Sequence, residues 1–176
     1  MPSTASKIAA QFACSAEKLP DKLYRVRYSG NQSLKARTRP AFKSTSAFKQ
    51  IVELHLKWCS CEPTPFVSLF ATESHAASWA QHLLEHGYRD VVILEIDPSR
   101  LSALFRVWEL VDRKDVSTTL PQYMYDDEFL VLRKIPRRSI VNKTAVARDD
   151  AVELEDESDY DSSDSDGMDS DVVSPL

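Results

Sequence analysis

Leu23-Tyr-Arg-Val-Arg-Tyr28 alternates apolar and polar side chains, the period of a half-buried strand, and Ser29-Gly-Asn31 supplies the turn that ends it. Residues 29–45 are polar, basic and contain Pro40, so they read as a loop. Ser46 is placed to cap a helix in which Phe48, Ile51, Val52 and His55 share one face, with Leu54 and Trp58 widening the apolar stripe. Pro63-Thr-Pro65 breaks it, and Phe66-Val-Ser-Leu-Phe70 reads as a short buried strand. From Thr72 runs the clearest helix: Ala76, Trp79, Ala80, Leu83 and Leu84 fall on one stripe, and Gly87 closes it. Val91-Val-Ile-Leu-Glu-Ile96 gives the strongest strand signal, ended by Asp97-Pro98. Leu104–Val111 fits neither period, Glu128-Phe-Leu-Val-Leu132 is another strand, and an extended segment runs through Ile140-Val141. This order predicts an α+β fold of small, mixed, mostly antiparallel sheets with two or three helices.

Length and composition fix the organisation. A chain of 176 residues with 43% apolar content supports one core domain, expected over residues 20–142, after a poorly ordered N-terminus at 1–19. No stretch approaches the roughly 20 apolar residues of a membrane span, so a soluble protein without a membrane partner is expected. Residues 1–18 lack the apolar core of a secretory signal, and the three cysteines, Cys14, Cys59 and Cys61, read as reduced thiols. Both features point to an intracellular protein, cytoplasmic or nuclear.

Charge separates the chain into two parts. Of 27 acidic residues, 12 lie between Asp149 and Asp171 without a single Lys or Arg, while all 22 Lys and Arg precede them. The body therefore carries a net charge of +7 and the segment −12. Such a block cannot bury enough apolar surface to order itself, so residues 143–176 are expected to form a disordered acidic tail. Three roles fit it: a solubilising tail, an electrostatic cover folded back on the basic body, or a docking tail phosphorylated at Ser158, Ser162, Ser163 or Ser165.

The motifs with familiar chemistry are weak. His82-Leu-Leu-Glu-His86 matches an inverted zinc-protease motif, but Gly87 ends the helix and no third ligand follows on a later one. His55, Cys59 and Cys61 offer three zinc ligands where a structural site takes four, and no metal is expected. With glycine only at 30, 87 and 167, there is no phosphate-binding glycine loop. Lys35, Arg37, Arg39 and Lys43, and again Arg133, Lys134, Arg137 and Arg138, form basic clusters that suit phosphate contacts, so nucleic acid is a candidate partner beside an unidentified protein.

One constellation is left: Arg25 in the first strand, Ser68 in the second, and Asp126-Asp-Glu128 at the start of a late strand. With Leu23-Tyr-Arg-Val26, Pro65-Phe-Val-Ser68, the Ala-rich helix His75-Ala-Ala-Ser-Trp-Ala80 and Leu94-Glu-Ile-Asp-Pro98, the chain resembles the Arg-Ser-Glu, cholera-toxin-like class of ADP-ribosyltransferases. It looks closest to an uncharacterised fungal domain family of that layout, over residues 22–142. The resemblance implies cleavage of the nicotinamide–ribose bond of NAD as cosubstrate, by a transferase or an NAD glycohydrolase. It further implies that Arg25 holds a phosphate in a bidentate contact, that Ser68 braces the nicotinamide ribose and the catalytic carboxylate, that Glu128 stabilises the charge developing on the sugar, and that Asp126, on the same strand face, orients the acceptor. The chain departs from active members at Ser68-Leu-Phe70, where they read Ser-Thr-Ser, and at Asp126, where arginine-modifying members carry Glu. The alternative is a non-catalytic protein- or nucleic-acid-binding module on the same scaffold, regulated by the tail.

Overall fold

Six short strands of this α+β protein pair into one antiparallel sheet in the order β4-β5-β2-β1-β3-β6. The computed structural model describes residues 3–57 and 62–147; Trp58, Cys59, Cys61 and the acidic tail lie outside the described residues. The strands are β1 (Leu23–Arg27), β2 (Phe66–Phe70), β3 (Val92–Ile96), β4 (Leu104–Arg106), β5 (Glu128–Leu132) and β6 (Ile140–Ala145). Every residue of β5 is buried, as a strand between two neighbours and under both layers must be. Among the described residues no helix is long and apolar enough to cross a membrane.

Helices cover one face. Helix α2 (Thr45–His55) and helix α4 (Val107–Asp112) pack with Phe66, Phe105, Leu130 and Leu132, and helix α3 (Glu73–Glu85) lays Ala76, Ala80 and Leu83 against Val26 and its neighbours. Loops close the other face over Leu23, Val67, Leu69, Leu94, Phe129 and Val131.

The N-terminus differs from the expectation of poor order. Helix α1 (Thr4–Phe12) forms there, capped by Ser3, and buries Ala5, Ile8, Ala9 and Phe12. Phe12 stacks on Phe48 of α2 with ring centroids 4.6 Å apart, so tertiary packing supplies what nine residues of modest propensity do not. Among the described residues there are thus four α-helices, where two or three were expected. Helix α2 begins two residues earlier than expected, because Ser44 rather than Ser46 accepts the Ala47 N–H at 3.1 Å. The unclear stretch 104–111 resolves into β4 running directly into α4, so neither single period fits it.

Candidate functional site

The sheet is weakest in the middle. Strands β1 and β2 pair only at Tyr24↔Phe70, whereas β1 pairs with β3, and β2 with β5, at five positions each. The two halves of the sheet part beyond that point, and a cleft of about 450 Å³ opens, lined by Arg25, His55, Thr64, Phe66 and Ser68 and by Lys35 and Arg37 of the loop after β1. Arg25 stands one residue past the last shared pair and reaches across the gap, donating from Nη1 to the Ser68 carbonyl at 3.1 Å. Its Nε is buried without a hydrogen-bond partner among the described residues. Burial, opposed by Tyr28 and Glu128 and reinforced by Arg27, lowers the Arg25 pKa to about 10, so the guanidinium is charged at neutral pH.

The Ser68 hydroxyl lies between two titratable groups. His55, the last residue of α2, holds its Nε2 2.9 Å from Ser68 Oγ and its Nδ1 against the hydroxyl of buried Thr64. Burial first, then repulsion from Arg25 and Arg37, lowers the His55 pKa to about 4, so the imidazole is neutral. The Ser68 hydroxyl also lies close enough to Glu128 to pull its pKa down, and toward an ionised carboxylate a hydroxyl can only donate. With Glu128 ionised, the order that satisfies each group runs from Thr64 O–H to Nδ1, from His55 Nε2–H to Ser68, and from Ser68 O–H to Glu128.

Glu128, the first residue of β5, is 8% exposed. Burial raises its pKa to about 7; the Ser68 hydrogen bond pulls it back down, neighbouring Asp127 pushes it up, and Arg25 pulls it down. Arg25 and Ser68 therefore line the cleft at the parting of the strands, and Glu128, which is not among its lining residues, is coupled to both electrostatically.

Asp126 is placed otherwise. Strand β5 begins at Glu128, so Asp126 lies not on the same strand face but in the preceding turn, its N–H bonded to the Gln122 carbonyl at 2.9 Å. It lines a second groove of about 850 Å³ together with His75, Arg106, Trp108, Tyr123 and Asp127. The turn is held by Asp127, whose carboxylate accepts from Thr72 N–H at 3.1 Å and Thr72 Oγ1 at 2.7 Å and lies 2.6 Å from His75 Nδ1. Glu128 is thus coupled to a residue of the first cleft and adjoins, in sequence, a residue of the second.

His55, Thr64 and Asp127 are the residues sequence reasoning did not single out for this site. A signal existed for His55: a histidine on the apolar stripe of a helix must find a buried partner. The pair His82 and His86 serves its own helix, since His86 Nδ1–H donates to the His82 carbonyl at 2.8 Å. Among the described residues no cluster of three or more His, Cys, Asp or Glu side chains is set to hold a metal.

The chain belongs to the family of the domain of unknown function DUF7587, whose model matches residues 18–149. No curated protein matches it. Among solved structures it is similar to EcPltA, with a TM-score of 0.47 and 17% sequence identity over 72% of this chain and 75% of that one. A likeness of that size carries no functional argument, which rests on the residues of the cleft.

Proposed function

We propose that this protein cleaves the nicotinamide–ribose bond of NAD, transferring ADP-ribose to an acceptor side chain or to water. The observation that carries the reading is the coupling of buried Glu128 to Arg25 and Ser68, which line the cleft where β1 and β2 part. The cleft suits a dinucleotide diphosphate: Arg25 keeps a buried Nε without a partner, and Lys35 and Arg37 line the approach. NAD, when bound, supplies the glycosidic bond to be broken. Arg25 binds and orients the phosphate. Glu128, as carboxylate, accepts from the ribose and opposes the positive charge that grows on the sugar, a stabilisation exerted mainly at the transition state. Ser68, oriented by neutral His55, keeps that carboxylate aimed and favours its ionised form. Asp126 and the second groove, on the far side of Glu128 in sequence, would receive the acceptor.

A second reading has an observation of its own. Leu69 is fully buried and Phe70 packs its ring 4.3 Å from that of His75, so the two positions that are polar in active transferases are apolar here. That favours a binding module that has kept the scaffold. Titration with NAD separates the two. Binding should be retained in Glu128→Gln and weakened on the order of tenfold in Arg25→Lys, which keeps the charge but not the fork. Failure of the wild-type chain to bind NAD at millimolar concentration would leave the module.

A further inference from the structure

The two basic clusters of the sequence meet in space. An isolated antiparallel bridge joins Lys35 to Lys134, flanked by Ala36 N–H to the Arg133 carbonyl and Ile135 N–H to the Leu34 carbonyl, each 2.8 Å. Beside the bridge lies a groove of about 710 Å³ whose charged lining is Arg27, Lys35, Lys134, Arg137 and Lys143, with no acidic side chain. Among the described residues none of these five cations makes a salt bridge, and Arg27 leaves a buried Nε without a partner while its Nη2 donates to Gln32 at 2.6 Å. Five cations held together without counter-charge repel one another, so the groove is built for an anion of extended shape.

The chain carries such an anion and releases it nearby. Strand β6 ends with Ala145 paired to Val92, and Val92 is paired in turn to Arg27. The C-terminal segment therefore leaves the sheet two strand spacings, roughly 10 Å, from a residue of the groove. Its acidic residues begin at Asp149 and number 12 by Asp171. A few extended residues, at about 3.3 Å each, cover that distance, and a tethered segment meets the groove at an effective concentration in the millimolar range.

We propose that the acidic segment 149–171 binds in this groove within the same chain. Lys35, Gln32 and Ser33 line both this groove and the cleft that holds Arg25. The binding does not rest on the NAD reading.

The test is zero-length carbodiimide cross-linking of the full chain, which joins carboxylates to lysine amines in contact, read by mass spectrometry of the monomer band. Links from residues 149–171 should concentrate on Lys35 and Lys134, exceed those to exposed Lys7 and Lys114, and disappear at about 1 M salt, where the Debye length is about 3 Å. The double variant K134E/R137E should lose the Lys35 links while NAD, absent throughout, plays no part. Even scatter over all exposed lysines, or links confined to cross-linked dimers, would overturn the proposal. So would a short DNA duplex that binds the wild-type chain as tightly as a chain whose acidic residues 149–171 are changed to Asn and Gln, since the groove would then be free for nucleic acid.

Discussion

Ser68 Oγ stands 2.9 Å from His55 Nε2 and is the hydroxyl that pulls the Glu128 pKa down, so a single hydroxyl couples a neutral imidazole to a buried acid. Removing it should be felt at Glu128. In Ser68→Ala the hydrogen bond that lowers the Glu128 pKa is gone, and the carboxyl should titrate above the present value of about 7. Carboxyl-carbon NMR of the variant reads this directly; an unchanged or lower midpoint would mean that Ser68 does not serve Glu128.

Stability against pH follows from two opposed shifts. Glu128 has a folded pKa raised from 4.5 to about 7, so the folded state holds an extra proton in that window and this contribution to stability falls as pH rises through it. His55 has a folded pKa lowered from 6.5 to about 4, so its contribution falls as pH drops from 6.5 to 4. Each shift amounts to at most about 3 kcal/mol, and between pH 4.5 and 6.5 the two oppose each other. Glu128→Gln should therefore be more stable than wild type at pH 8 and should lose stability steeply on acidification below pH 6.5. Denaturant unfolding across pH checks both signs.

Helix α1 belongs to the core despite its position at the chain's start. Phe12→Ala removes the ring stacked on Phe48 and should cost about 3 kcal/mol, the lower part of the range for a buried aromatic. A change in unfolding free energy below about 0.5 kcal/mol would place the helix outside the cooperative fold.

Asp127 clamps the turn before β5 to the start of α3 through Thr72 and His75. Asp127→Ala should cost about 1 kcal/mol, since water can replace the acceptor at exposed Thr72, and should raise hydrogen exchange there. It should also lower the Glu128 pKa, because a neighbouring negative charge is removed.

The elements with a complete local signal were legible. The alternation of β1, the apolar run of β5 and the stripe of α3 each state their own burial, and the structure forms all three. Helix α1 was not, because its Ala- and Ser-rich sequence is stabilised by Phe48, 36 residues beyond Phe12. Arg25, Ser68 and Glu128 could be picked out as polar groups set into strands. Their partners could not: His55 reads locally as a member of an apolar helix face, and its partners Thr64 and Ser68 lie on a later segment, 9 and 13 residues on. Asp126 was misplaced for a related reason, since the sequence does not state where the turn yields to β5.

The most direct measurement is nicotinamide release from NAD by wild type and by Glu128→Gln at pH 8, with unfolding curves on both. Release by the wild type is expected, rising with pH through about 7 as Glu128 ionises, with a loss of roughly 10²–10³-fold in a variant at least as stable. Equal release by the two proteins, or none from a wild-type chain that is folded, would contradict the NAD reading.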